Sequence, residues 1–497
     1  MGERATQAVR IVKPIQGADP GMRLLCHGSA PVPAHETHNK TYGDAMTSPS
    51  RTLDVQQFIN EHRFSRYQWL ILVTCFLLIA IDAYDSVAIG FVVPVLLKEW
   101  GTTRAAFGPV LSVGVLGLAL GALIAGPLFH RTSPKTVMVG SMLLFGVCSL
   151  GTMTADSLVS LGAWRFFTGL GVGAAVPGAV TLIYEYAPAR MSALLVNTIA
   201  CGALIGASSC GMAAAAVVPA YGWTSVFLIG GVVPVVLALF MLVTMPQPLQ
   251  FMVQQGYPAP AIASVLRRIA PGAQIADDTR FVLTAAPEAG KAGVAVVLSR
   301  QLRTGTTMLW AAYFFGTFAY YLLLGWLPTL VQDMGASLRH STLITVLMTV
   351  GGIFGTFLFG WLMDRIDRNT VVAGAFVLGG LGMWLVGQQK GDLAWVATCV
   401  FIGGVGLSGA LMSMGAVAAA YYPASGRSTG IAWMHGVGRF GGIVGPLAGA
   451  LMLRDGFSLG TVFTVVMGFV LVSAVALVIK GAAARRAAGN SLQVESV

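Results

Sequence analysis

From Trp69 onward the sequence is cut into apolar segments of about the length a helix needs to cross a bilayer, ~20 residues each. They fall at about 69–95, 107–129, 136–154, 158–184, 193–218 and 224–245, then again at about 306–331, 342–363, 370–388, 393–421, 428–452 and 459–480. In hydrocarbon every backbone N–H and C=O must be satisfied within the segment, so each of these runs is predicted to be a helix. The expected fold is an all-α polytopic membrane protein, with twelve transmembrane helices in two six-helix halves. Residues 1–68 form an N-terminal segment, 69–245 the first bundle, 246–305 a middle loop, 306–480 the second bundle and 481–497 a tail. The first 45 residues, rich in Gly, Pro, His and Thr, read as disordered, with Met46 a candidate alternative start. In the middle loop, Arg267, Arg268, Asp277, Asp278, Arg280, Glu288 and Lys291 mark a polar connector, with a short surface helix around Ala261–Ile269.

Composition removes other classes. Charged residues make up 10% and hydrophobic ones 56% of the chain, whereas a soluble domain carries about 25% charge. The net charge of +10 forms no basic patch or aromatic-interleaved stripe, so no nucleic-acid partner is expected. Instead, Lys and Arg gather in alternate loops, while the loops on the other side hold only Lys98, Arg104, Arg339, Lys390 and Arg454. The positive-inside rule then places both termini and the middle loop in the cytoplasm and requires an even number of spans. Cys75, Cys148, Cys201, Cys210 and Cys399 lie within apolar runs, without ligand spacing, and indicate neither disulfides nor a metal site. His27, His35 and His38 could bind a metal but read as parts of a solvated tail, and Cys26, in the same polar region, is left unassigned. No nucleophile, metal cluster or cofactor motif is found, so neither an enzyme nor a cofactor is expected.

An internal repeat supports duplication: Gly126-Pro-Leu-Phe-His130-Arg131 follows the second span and Gly360-Trp-Leu-Met-Asp364-Arg365 follows the eighth. Halves of this kind suit a substrate site midway across the membrane. Ionised groups near the bilayer centre cost about 2.5–3.5 kcal/mol each on insertion scales, so those present need partners or a watery cavity. Asp82 and Asp85 lie three apart in the first span, one helical turn from each other, and are candidates for proton coupling or substrate binding; pairing with bases to hold helices together is the alternative. Arg165 in the fourth span offers a planar fork to a carboxylate, that of a substrate or of Asp82 or Asp85, or else snorkels to the interface. Glu185, ending the same span, reads as a gate or a partner of Arg131. His435 and Arg439, four apart in the eleventh span, share a face and are candidates for an anion and a proton, with packing the alternative for His435. Tyr84, Tyr321, Trp326 and Trp433 are candidates for stacking on an aromatic substrate, although such residues also serve as interface anchors or core.

Several stretches carry a family likeness. These are Asp82-Ala-Tyr-Asp85-Ser-Val-Ala-Ile-Gly90 in the first span, Tyr321-Leu-Leu-Leu-Gly-Trp326-Leu-Pro328 in the seventh, and Tyr422-Pro-Ala-Ser-Gly-Arg427-Ser-Thr-Gly430 through Gly438-Arg439-Phe-Gly441 to Gly445-Pro446. In them the chain resembles the major facilitator superfamily and, within it, the aromatic acid:proton symporter family of benzoate, 4-hydroxybenzoate and protocatechuate carriers, over about Leu53 to Lys480. The resemblance implies that Asp82 and Asp85 serve proton coupling or substrate binding, that Arg165 and Arg439 serve the substrate anion or a charge partner, and that Asp364 with Arg365 gates the second half; Arg427 falls within the third stretch and joins the gating set. The chain departs from the family pattern at Ala83, where the signature has Gly, and at His130, where the first-half loop motif has Asp.

The functional expectation is a secondary transporter of the inner membrane. It imports a small organic anion, an aromatic carboxylate above all, with protons, by alternating access and as a monomer in the lipid bilayer. Proton-coupled efflux of drugs or other metabolites and a non-transporting, transporter-like sensor are the competing expectations.

Overall fold

The computed structural model describes residues 52–494 apart from 103, 277–278, 284–292, 337 and 389–391. The expectations for the first 45 residues, Met46, Cys26, His27, His35 and His38, and for Asp277, Asp278, Glu288 and Lys291, lie outside the described residues, as does the side chain of His130. Twelve helices among the described residues are long and apolar enough to cross a membrane. The first six are Arg66–Glu99, Arg104–Arg131, Pro134–Thr152, Leu158–Tyr186, Ser192–Tyr221 and Thr224–Thr244. The second six are Arg303–Asp333, Leu338–Met363, Arg368–Gly387, Leu393–Tyr421, Arg427–Arg454 and Leu459–Val494. Short polar residues begin them: Ser65 and Gln68 form a capping box on the first, Ser157 and Ser160 on the fourth, and Asp367 and Asp392 cap the ninth and tenth. The last helix continues past Lys480 because Gly481-Ala-Ala-Ala-Arg-Arg-Ala-Ala is rich in strong helix formers.

The middle loop is more ordered than a polar connector. Its helix begins at Ala259 and runs to Ile269, and it buries Ile262, Val265, Leu266 and Ile269, a single face at helical spacing. A strand at Arg280–Val282 then pairs in parallel with Thr52–Asp54, tying the loop to the segment before the first span.

Equivalent helices pack alike in the two halves: second on fourth and eighth on tenth, first on fifth and seventh on eleventh, third on sixth and ninth on twelfth. Small residues permit the close crossings. A Cβ at Gly121 would run into the Leu170 backbone, and one at Gly355 into that of Val405.

A set of polar contacts joins the halves towards the membrane face where the first helix begins and the twelfth ends. Asp364 accepts from the backbone N–H groups of Ala193 and Leu194, both at 2.9 Å, and so caps the fifth span from the opposite half. Arg368 donates to Ser192 Oγ at 2.8 Å and to the Tyr184 hydroxyl at 3.4 Å. Asn197 Nδ2 donates to the Thr356 carbonyl and to Ser413 Oγ, each at 2.7 Å. Trp433 Nε1 reaches the Leu123 carbonyl at 3.1 Å, and the Thr429 hydroxyl reaches that of Gly126 at 2.7 Å. These contacts seal one end of the space between the bundles.

Candidate functional site

Two connected cavities lie beyond the seal. The inner one, about 240 Å³, is walled by Asp82 of the first span, by Tyr313, Thr317, Tyr320 and Tyr321 of the seventh, and by His435 and Arg439 of the eleventh. The outer one, about 510 Å³, is walled by Asp85, Arg165, Ser112 and Pro446 among others. Ser86, Val87, Tyr321 and Arg439 border both. Measured from the sealed face at ~1.5 Å per residue, Arg439 stands about 18 Å and Asp82 about 24 Å along its helix, in the middle of the bilayer.

The two first-span acids have different partners. Asp85 receives Arg165 Nη2 on both oxygens, at 3.1 and 2.9 Å, and Ser149 Oγ at 3.2 Å. Arg165 is 6% exposed and sits 5.0 Å from the centre of the Phe227 ring, so its fork is turned inward onto Asp85 and does not snorkel. This pair ties the first span to the fourth, and Ser149 adds the third. Asp82 is also buried, but its Oδ1 has no hydrogen-bond partner. Arg439 faces Asp82, Tyr321 and Tyr313. His435 Nδ1 shares a 3.1 Å hydrogen bond with the Tyr313 hydroxyl, while its Nε2 is buried without a partner. Unpartnered polar atoms cost free energy when dry; gathered around one cavity, they make a site that can hold an anion and a proton.

The remaining candidates separate. Tyr84 donates to the Val226 carbonyl at 3.4 Å and packs with Phe227 and Trp223 in an apolar cluster, bordering neither cavity. Trp326 Nε1 donates to the Pro446 carbonyl at 2.9 Å and lies on Gly449, a helix-packing contact within the second half. Trp433 belongs to the seal, as its bond to Leu123 shows, and lies against Trp310. Of the four aromatic candidates, Tyr321 borders the cavities. Glu185 is paired with Arg427 at 3.7 Å and accepts from the Gln250 N–H at 3.3 Å, so its partner is Arg427 and not Arg131, which is exposed. Arg427 also donates to Gln250 Oε1 at 2.9 Å. Arg365 lies over the Trp361 ring at 3.8 Å, and the inter-half contact expected of it is made by Arg368. Among the described residues no three His, Cys, Asp or Glu side chains gather as a metal site.

Reading the sequence missed Tyr313, Ser149, Asn197 and Gln250. Tyr313 carried a signal, since 313, 317, 320, 321 and 324 follow helical spacing and share the cavity face. The other three carried none, being single polar residues whose partners lie far away in the chain.

Known proteins agree with this architecture. The family model of the Major Facilitator Superfamily matches residues 75–387 and, in a second match, 309–494. A relative named 4-hydroxybenzoate transporter PcaK, from Pseudomonas putida, is 40% identical over 437 residues, 88% of this chain and 98% of its own. A gallate transporter of Pseudomonas putida is 38% identical over 435 residues, 88% of this chain and 96% of its own. The solved structure of the proton:xylose symporter XylE overlays with a TM-score of 0.63 at 15% identity, over 82% of this chain and 94% of that one, a likeness of fold.

Proposed function

The chain belongs to the Major Facilitator Superfamily as a multi-pass membrane transporter and not an enzyme, and on that premise we propose that it imports a small aromatic carboxylate, such as benzoate or a hydroxybenzoate, by proton symport. It works as a monomer in the inner membrane, with the sealed face and both termini in the cytoplasm. The observation that carries this reading is the inner cavity, where a buried acid with an unpartnered oxygen, Asp82, faces Arg439 among three tyrosines. Relatives at 38–40% identity are named for hydroxylated benzoates, which supports the substrate class.

The steps follow from charge. The substrate enters through the outer cavity as an anion, and its carboxylate meets the guanidinium of Arg439, a charge-assisted contact roughly twice as strong as a neutral one. Tyr320 and Tyr321 offer ring faces to its aromatic body, and their hydroxyls reach its polar substituents. Arg439 then no longer stabilises an ionised Asp82, which takes up a proton. Neutralising that acid lowers the cost of closing dry helices around the site. Asp85 and Arg165 stay paired and keep the first span on the fourth. The halves then rock: the outer cavity closes, the contacts of Asp364, Arg368, Asn197 and Arg427 part, and substrate and proton leave on the other side.

Uptake of labelled 4-hydroxybenzoate into proteoliposomes tests this. An imposed inward proton gradient should accelerate uptake and drive accumulation, and a protonophore should abolish both. No stimulation by the gradient would remove the symport. Hydroxylated benzoates should compete, whereas aliphatic acids and sugars should not; equal competition by all three would remove the substrate class.

A further inference from the structure

Beside the start of the first span, apart from both central cavities, residues His62–Tyr67 and Arg268–Ala273 enclose a groove of about 680 Å³. Its charged lining is basic: among the described residues Arg63, Arg66 and Arg268 border it, and no acidic one does. The neighbouring acid in the chain, Glu61, is held by Gln57 at 2.8 Å, and His62 Nδ1 is engaged by the Phe58 carbonyl at 2.7 Å. Arg268 lies 5.6 Å from the centre of the Tyr67 ring, and Lys135 adds positive charge beside it. Guanidinium groups gathered around one groove repel one another, and an anion relieves that repulsion.

The groove also stands where the protein meets hydrocarbon. Phe64 packs edge-on against Trp69, with ring centres 5.4 Å apart. Starting at Trp69 itself, Trp69, Val73 and Leu77, four residues apart, are 55%, 49% and 42% exposed and form an apolar stripe down the outside of the first span. An aromatic pair at the headgroup level above such a stripe is an interfacial anchor. A ligand with a phosphate at one end and long apolar chains at the other fits both parts.

We propose that this groove binds the phosphate headgroup of an anionic phospholipid, whose acyl chains lie along Trp69, Val73 and Leu77. Inorganic phosphate shares the headgroup chemistry but has no use for the stripe. Each basic side chain near an anionic membrane surface contributes about a fivefold gain in binding, so the three arginines together give about a hundredfold preference for phosphatidylglycerol over phosphatidylcholine.

The test is native mass spectrometry of the full-length protein titrated with each lipid. Arg63 and Arg66 are exposed, so the Arg63→Gln/Arg66→Gln protein should fold as the parent does. Its phosphatidylglycerol affinity should fall about 25-fold while that for phosphatidylcholine stays unchanged. Adding Arg268→Gln should remove the remaining preference. Equal phosphatidylglycerol affinity in parent and double variant would overturn the proposal. So would displacement of the lipid by inorganic phosphate at matched concentration, because the stripe would then contribute nothing.

Discussion

Replacing Arg165 with Gln removes the cation that stands 2.9 Å from Asp85 Oδ2 in a buried pair. Unit charges at that separation attract by about 6 kcal/mol at an effective dielectric near 20. Measured losses on breaking a buried pair are about 3–5 kcal/mol, because the surviving charge stays buried and unpaired. Asp85→Asn should cost a similar amount, since it leaves the guanidinium beside Phe227 without its counter-charge. The double variant Asp85→Asn/Arg165→Gln is different: no charge remains, and two amides and Ser149 can hydrogen-bond among themselves. It should lose about as much stability as one single variant, a coupling of about 3 kcal/mol. Thermal unfolding of the four purified proteins in one detergent reads this out, with both single variants melting no higher than the double. If the losses of the two singles simply add in the double, Asp85 and Arg165 are not a pair and the division of labour between Asp85 and Asp82 fails.

Asp82→Asn should abolish accumulation under an imposed proton gradient while leaving substrate exchange across equilibrated proteoliposomes; retained accumulation would reassign Asp82 to packing. Arg439→Gln should raise the KM for 4-hydroxybenzoate by about 10- to 100-fold, the worth of one charged hydrogen bond, and an unchanged KM would move the carboxylate elsewhere. Asp364→Ala removes the acceptor from the Ala193 and Leu194 N–H groups. It should therefore speed labelling, by an impermeant maleimide added at the sealed face alone, of a cysteine placed at Val196, which lines the inner cavity beside Gly415 behind the seal. Burial raises the pKa of the Asp364 carboxyl, against the pull of those two N–H groups and Arg368. A carboxyl with a higher pKa when locked than when released binds its proton more readily in the locked state, so acidification strengthens the seal and alkalinity weakens it. Labelling at Val196, normalised to the denatured protein, should accordingly slow as pH falls, and Asp364→Asn should lose that dependence.

The spans were legible in the sequence because a bilayer imposes a run length and forbids unsatisfied backbone, and both demands are written locally. The helix from Leu393 to Tyr421 and the expected span at 393–421 share both ends for this reason. Ionisable residues at mid-membrane were equally visible, because each is costly wherever the helix packs. Their partners were not visible. Asp82 and Asp85 are one turn apart on the same helix, and neither position states which acid Arg165 will take. Ser149 and Phe227, brought in by the third and sixth spans, complete the niche around Asp85 and leave Asp82 to the cavity. Glu185 likewise met Arg427 and Gln250 where Arg131 was nearer in expectation, because the seal joins the halves and a charge pairs with what arrives in space. Tyr84, Trp326 and Trp433 had the chemistry for a substrate but were used for packing and closure, and the rotation of each helix against its neighbours made that choice. Hydropathy and helical period thus determined the membrane, the span count and the candidate charges. The crossing of helices distant in the chain alone decided which charges are tied and which remain to work, because desolvation and pairing depend on distances that no linear order contains.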